Sequence, residues 1–354
     1  MRIAFAANPA LGHVLPLVPL ATAAREAGHD VAVIGGAAIG PVLAAHGLGH
    51  VEAGPPNLPA VFAAIGADGL TGPRLAVAVW SRGFAEVVGR PLAHALLALA
   101  QTWRPDLLVH DDSEQGTWIA AERLGIPHVA LQATAWRGSM LHLSAEPAGR
   151  LREELGLPPD PALVSWHRFG FLATRPPGLL DPSDPLPASA TPMRAIAVED
   201  PGASVASWLE EAPAQGRRIA VTLGTVAPDR RAPLLSTILD GVGRMNAEVV
   251  VALGPGLDPA SFLPRRANVR LVSFVPMAAD QPANAAACLA AGAARVVERE
   301  AWTVPGIRSA VEAALADPSL GEAAGRLRSE IEAMPLPYEV LPRLEALAGS
   351  MDPR

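Results

Sequence analysis

Ile3-Ala4-Phe5-Ala6-Ala7, then Asn8-Pro9-Ala10-Leu11-Gly12-His13, then a helical stretch from about Pro16 to Ala27: these residues decide the fold of this chain. The first five are an uninterrupted apolar run bounded by turn residues, which reads as a strand buried on both faces. The next six read as a loop. Residues 16–27 read as a helix that ends at Gly28, where a helix C-cap belongs. Strand–loop–helix units build open α/β sheets, in which ligands sit beyond the carboxyl ends of the strands. Gly12 gives that loop the freedom to turn tightly. His13 stands where the helix is about to begin, and its side chain is the only type with an ordinary pKa near neutrality. It is therefore a candidate general base. The residues leave a second role open, in which the imidazole only caps or packs the turn.

The pattern continues outward. Apolar runs at 31–35, 106–110 and 127–132 predict further parallel strands, and helices fit 41–46, 84–101 and 115–124. From 172 to 205 the alternation fails. Pro176, Pro177, Pro182, Pro185, Pro187, Pro192 and Pro201 crowd this region, which reads as a linker. A second series follows, with strands at 218–223, 248–253, 269–272 and 294–298 and helices at 231–244, 281–291, 303–316, 321–333 and 336–348. The expected architecture is α/β, with two Rossmann-like domains facing one another across a cleft. Residues 1–175 form the first domain, 176–205 the linker and 206–335 the second domain. The last helix, within 336–354, is positioned to cross back to the first domain.

Composition narrows the function. Half of the 354 residues are hydrophobic, enough for a large core, yet no apolar run approaches the ~18 residues that suggest a membrane span. Asn8, Pro9 and Gly12 interrupt the apolar start too early for a signal peptide, so a cytoplasmic location is expected. Cys288 is the only cysteine, which excludes an internal disulfide and a cysteine-based metal site. A net charge of −7 argues against a nucleic-acid partner. The dinucleotide fingerprint G-x-G-x-x-G is missing after the first strand of each half, which argues against a nicotinamide dehydrogenase.

Six motifs occur in order. They are Gly12-His13-Val14-Leu15-Pro16; Arg104-Pro105-Asp106-Leu107-Leu108-Val109-His110-Asp111; Gly125-Ile126-Pro127; Val221-Thr222-Leu223-Gly224-Thr225; Asn268-Val269-Arg270-Leu271-Val272-Ser273-Phe274-Val275-Pro276; and Ala279-Asp280-Gln281-Pro282-Ala283-Asn284-Ala285. Through them the chain resembles the GT-B fold nucleotide-sugar glycosyltransferases of the UDP-glucuronosyl/macrolide family, above all bacterial enzymes that decorate antibiotics and other natural products.

The resemblance implies an inverting transfer of a sugar, a deoxysugar by analogy, from a nucleoside-diphosphate donor to a hydroxyl of a small hydrophobic aglycone. His13 matches the family's base and Asp111 the carboxylate that orients it and stabilises its protonated form. The residues also allow Asp111 and its neighbour Asp112 to be an N-cap for helix 115–124. Two adjacent carboxylates also suit a metal site, but this family handles the diphosphate with backbone N–H groups and a helix N-terminus, so no metal and no further cofactor are expected. Gly224 and Thr225 match the donor's phosphate or ribose contacts, Phe274 and Val275 its nucleobase contacts, and Asp280 and Gln281 its sugar hydroxyls. Trp80, Phe84, Trp136, Met140 and His142 are candidates for an apolar acceptor pocket. The oligomeric state is open, a homodimer included.

One departure stands out. Only Met277, Ala278 and Ala279 separate Pro276 from Asp280. In relatives a longer segment stands here, with two helices, two strands and a His-Xaa-Gly-Gly-Xaa-Gly-Thr loop that cradles the diphosphate. The second domain is therefore expected to be shortened by about two strands and two helices. An alternative follows: a catalytically impaired paralogue that acts as a binding or auxiliary protein.

Overall fold

The computed structural model describes residues 1–70, 72–136, 138–199, 209, 211–213, 216–222, 228–253, 269–272 and 281–350. The chain forms two compact units, one of Met1–Gly202 with Ser329–Arg354 and one of Ala203–Arg328.

The first unit holds seven parallel strands: β1 (Arg2–Ala6), β2 (Asp30–Gly35), β3 (Gly49–Glu52), β4 (Leu107–Asp111), β5 (His128–Leu131), β6 (Phe171–Ala173) and β7 (Ala190–Pro192). Their order is β3-β2-β1-β4-β5-β6-β7. The chain winds outward from β1 to β3, then returns to the other side of β1 to lay down β4. The strand order therefore reverses between β1 and β4, and open sheets bind ligands in the crevice at such a switch point.

Both faces of this sheet are buried. Ile3 and Phe5 of β1, Leu107 and Val109 of β4, and Val129 and Leu131 of β5 pack into one core with helix Val18–Glu26 and the C-terminal helix Pro337–Ser350. Ala4, Ala6, Leu108 and Ala130 face the opposite core, with helices Arg90–Leu99 and Thr117–Leu124. Backbones come close on this second side. A Cβ added at Gly116 would stand 1.9 Å from the carbonyl oxygen of Gly89, so only glycine fits there.

The second face also buries two histidines. His110 and His128 lie 5.7 Å apart and contact Trp166 and Trp118 respectively. Burial lowers the pKa of His110 to about 4, against an opposing hydrogen bond to the Asp111 carbonyl and the Asp111 charge. Burial, then repulsion from His110, holds His128 well below the ordinary value.

Several expectations need correction. The stretch expected as a linker contributes a strand: Ala190–Pro192 pairs with β6, and Met193 is buried in the first core. Proline is tolerated there because an edge strand needs no donor on its outer side. The return to the first unit begins at Ser329 rather than 336, tied down where Arg194 N–H donates to the Pro335 carbonyl (2.7 Å) and Gly178 N–H to Glu330 (2.7 Å). The helix expected over 16–27 forms as Val18–Glu26, and the loop expected before it carries a helical turn, Leu11–Val14, so His13 lies on that turn. The expected helix 84–101 begins as a π-helix, Val79–Gly89.

In the second unit the described residues form a parallel sheet of β8 (Arg218–Thr222), β9 (Glu248–Ala252) and β10 (Val269–Val272), in the order β10-β9-β8. Val221, Val249 and Val251 pack against Leu235, Leu239 and Val242 of helix Pro228–Val242 and Ile307 of helix Val304–Ala316. The strand expected at 294–298 does not form: Arg295 pairs with Asp317 at the surface and Val296 is exposed, so the segment has no apolar face to bury. The junction between Pro276 and Asp280 lies outside the described residues. Among those described, no helix is long and apolar enough to cross a membrane.

Two stability predictions follow from this packing. Gly116→Ala should cost about 3 kcal/mol in chemical denaturation, because two backbones must separate to admit the methyl group. His110 resists protonation when folded but accepts it when unfolded, so its contribution is intact above pH 6.5 and is lost as pH falls toward about 4. The loss from His110 should reach about 3 kcal/mol, and His110→Asn, which does not titrate, should make the pH dependence of stability shallower over that interval, His128 supplying the rest.

Candidate active site

The site forms where β1 and β4 end side by side. Their register pairs Ala6 with His110, so the chain leaves β1 beside Asp111, the last residue of β4. Asn8 follows immediately, and the turn Leu11–Val14 brings His13 back over the strand ends, where it is 4% exposed. His13 Nδ1–H donates to Asp111 Oδ2 at 2.7 Å.

Asp111 is completely buried and accepts a full set of donors. Asn8 donates to Oδ2 from its backbone N–H (3.3 Å) and from Nδ2 (3.1 Å). Ser113 donates to Oδ1 from its backbone N–H and from its hydroxyl, each at 2.8 Å. Burial alone would raise the pKa of this carboxyl, but the charge and hydrogen bond of His13 and the two bonds from Ser113 outweigh it and hold the group ionised, below the usual carboxylate range. When the imidazole is neutral, an ionised partner on Nδ1–H puts the ring's lone pair on Nε2, the atom that would take a proton.

Asp112 serves differently. Its Oδ1 accepts from Ala133 N–H at 3.0 Å, on the segment after β5, and burial together with the neighbouring Asp111 charge pushes its carboxyl well up. Asp112 also hydrogen-bonds the Asp111 carboxyl, which favours its protonated form beside the ionised neighbour. Neither of them caps helix Thr117–Leu124. That role falls to Glu114, whose carboxylate accepts from Gly116 N–H (2.8 Å), Thr117 N–H (2.9 Å) and the Thr117 hydroxyl. Burial raises Glu114 to about 7 against these bonds. Among the described residues no group of three or more His, Cys, Asp or Glu side chains is arranged to hold a metal ion.

Sequence reading missed Asn8, Ser113 and Glu114 as site residues. The spacing Asp111-Asp112-Ser113 did carry a signal, since an Asp side chain often accepts the backbone N–H two residues on.

The apolar wall beside His13 comes from the π-helix Val79–Gly89. Phe84 meets the imidazole edge-to-face at 5.3 Å, and Trp80 meets Phe84 at 6.3 Å. Such helices are rare and cluster at functional sites. Met140 and His142 lie on the short helix Gly138–Ser144, which packs against this π-helix; Met140 is half-buried and His142 exposed, with its ring nitrogen at 2.6 Å from the Ser139 carbonyl. Trp136, half-buried, packs on Phe171 (5.1 Å) and Trp166 (5.9 Å), and its indole N–H donates to the Pro185 carbonyl. It belongs to the aromatic core beneath β5 and β6. Of the residues expected to hold a donor, Gly224, Thr225, Phe274, Val275 and Asp280 lie outside the described residues, and Gln281 is the first residue of helix Gln281–Ala290.

No family model matches the chain. It is, however, 30% identical to tylactone mycaminosyltransferase of Streptomyces fradiae, over 95% of this chain and 90% of that protein. It is 31% identical to L-demethylnoviosyl transferase of Streptomyces niveus, over 78% of this chain and 72% of that one. The first alignment spans 425 positions against 354 residues here, so that relative carries residues with no counterpart in this chain. Among solved structures, the glycosyltransferase VinC in complex with dTDP superposes with a TM-score of 0.77 at 25% identity, covering 99% of this chain and 100% of VinC. SnogD from Streptomyces nogalater superposes with a TM-score of 0.77 at 28% identity, over 98% and 100%. The chain belongs to the macrolide and antibiotic glycosyltransferases of the GT-B fold.

Proposed function

We propose that this protein transfers a deoxysugar, with inversion, from a nucleoside-diphosphate donor to a hydroxyl of a small hydrophobic polyketide or antibiotic aglycone. The observation that carries the reading is the buried 2.7 Å hydrogen bond from His13 to Asp111 at the switch point of the first sheet. His13 Nε2 takes the proton from the acceptor hydroxyl. The oxygen then attacks the anomeric carbon, the bond from that carbon to the diphosphate breaks, and the nucleoside diphosphate leaves with the electron pair. Asp111 stabilises the imidazolium that forms, and the proton passes to solvent after transfer. Trp80 and Phe84 supply an apolar surface for the aglycone. The relatives' names point to deoxysugars, and VinC was solved with dTDP, which favours a thymidine diphosphate carrier held by the second unit.

No metal enters this scheme, and a cytoplasmic location goes with it. We place the chain's shortening between Pro276 and Asp280, where the family motifs adjoin without the diphosphate loop. Leaving-group stabilisation then falls on Thr225 and neighbouring donors.

Two measurements test the proposal. His13→Ala should lower kcat by ~10²–10⁴ while leaving acceptor affinity largely unchanged; wild-type turnover in this variant would refute the assignment of the base. Calorimetry should detect saturable binding of thymidine diphosphate to the wild-type protein. An absence of heat at millimolar ligand would count against a donor site and favour the impaired paralogue.

A further inference from the structure

We propose that Asn8 and Ser113 are positioning residues that hold Asp111 in a single orientation and thereby hold His13 in the tautomer with Nε2 unprotonated. This inference rests on the reading of His13 as the base. The geometry assigns each hydrogen its place. Asn8 Nδ2 carries two hydrogens: one reaches Asp111 Oδ2 (3.1 Å) and the other Ser113 Oγ (2.9 Å). Ser113 Oγ has one hydrogen, which goes to Asp111 Oδ1 (2.8 Å). The hydroxyl oxygen also lies 3.1 Å from His13 Nδ1. With its own hydrogen committed to Asp111, it can only accept there, so the hydrogen between them belongs to Nδ1. The carboxylate and the hydroxyl thus receive the same imidazole hydrogen, and both oppose a flip that would present a protonated Nε2 to the acceptor.

The arrangement works against stability, which argues that it serves the site. Asn8 is fully buried, and among the described residues its side-chain carbonyl Oδ1 finds no partner. A buried acceptor left unpaired is destabilising. Turning the amide over would set its carbonyl oxygen against the Asp111 carboxylate, in the place Nδ2 now holds 3.1 Å from Oδ2. The amide therefore keeps its donors on Asp111 and Ser113 while its carbonyl goes without. Ser113 is held to the same carboxylate by its own backbone N–H, so the hydroxyl cannot drift from Asp111 without breaking the turn.

The test uses Asn8→Ala, Ser113→Ala and Ser113→Thr in the full chain, with 15N-labelled histidine. In the wild-type protein the His13 ring, assigned by its loss in His13→Gln, should show one neutral form with Nδ1 protonated. Asn8→Ala and Ser113→Ala should each introduce the other tautomer and lower kcat about tenfold, with acceptor KM nearly unchanged. Ser113→Thr keeps the hydroxyl and should restore both. If Asn8→Ala fails to fold, the two Ser113 variants carry the test. A wild-type ring spectrum in Ser113→Ala overturns the proposal, as does a loss of kcat that threonine fails to restore in a folded protein. If the wild-type protein transfers no sugar, the spectra still decide: an altered tautomer in the variants upholds the positioning role while the proposed function fails.

Discussion

The hydrogen bond from His13 to Asp111 joins residues 98 positions apart, and nothing local in the sequence brings them together. It exists because β1 and β4 pair in parallel with Ala6 opposite His110, which ends both strands at the same level. That pairing follows from the winding of the sheet. The chain lays β2 and β3 on one side of β1 and must begin again on the other, so the segments leaving β1 and β4 diverge and leave a crevice. Asn8, His13, Asp111 and Ser113 are the residues that meet in it.

A buried polar cluster of this kind has to be held by something rigid. The sheet provides this through two apolar cores. On one face Ile3, Phe5, Leu107 and Val109 are covered by helix Val18–Glu26 and by the C-terminal helix, whose Val340, Leu341 and Leu344 complete that core. On the other face the small residues Ala4 and Ala6 and the contact between Gly89 and Gly116 draw the helices close to the strands. The π-helix that carries Phe84 to the imidazole runs into the same contact, since Gly89 is its last residue. Packing on this side thus sets both the stability of the unit and the placing of the site's apolar wall.

The electrostatics divide three neighbouring acids among three tasks. Asp111 stays ionised because His13 and Ser113 surround it with donors. Asp112, one residue on, faces the segment after β5 and is pushed toward its neutral form by burial and by Asp111 itself. Glu114 closes the N-terminus of helix Thr117–Leu124 and so anchors the loop that carries Ser113. Burial, the charge of Asp111 and a hydrogen bond to its carboxyl favour the protonated form of Asp112, so adjacent carboxyls keep different protonation states.

Much of this protein is legible in its sequence. Short apolar runs bounded by turn residues place β1, β2, β4 and β5, because a strand buried on both faces needs an uninterrupted apolar run. The Gly12-His13 motif and Asp111 are readable because they lie in motifs through which the chain resembles its family. Other features required the folded chain. Ala190–Pro192 is too short and too rich in proline to announce a strand, and it becomes one only because β6 offers a free edge. Whether Asp111 or Glu114 caps the helix depends on where the strand ends, and Trp136 joins the aromatic core because Trp166 and Phe171 are already there. The donors that Asn8 and Ser113 aim at one carboxylate come from opposite sides of a gap of more than a hundred residues. Sequence determines which segments form strands and helices through local apolar pattern and turn chemistry; the partners of each polar group are decided only when pairing between distant strands sets the register.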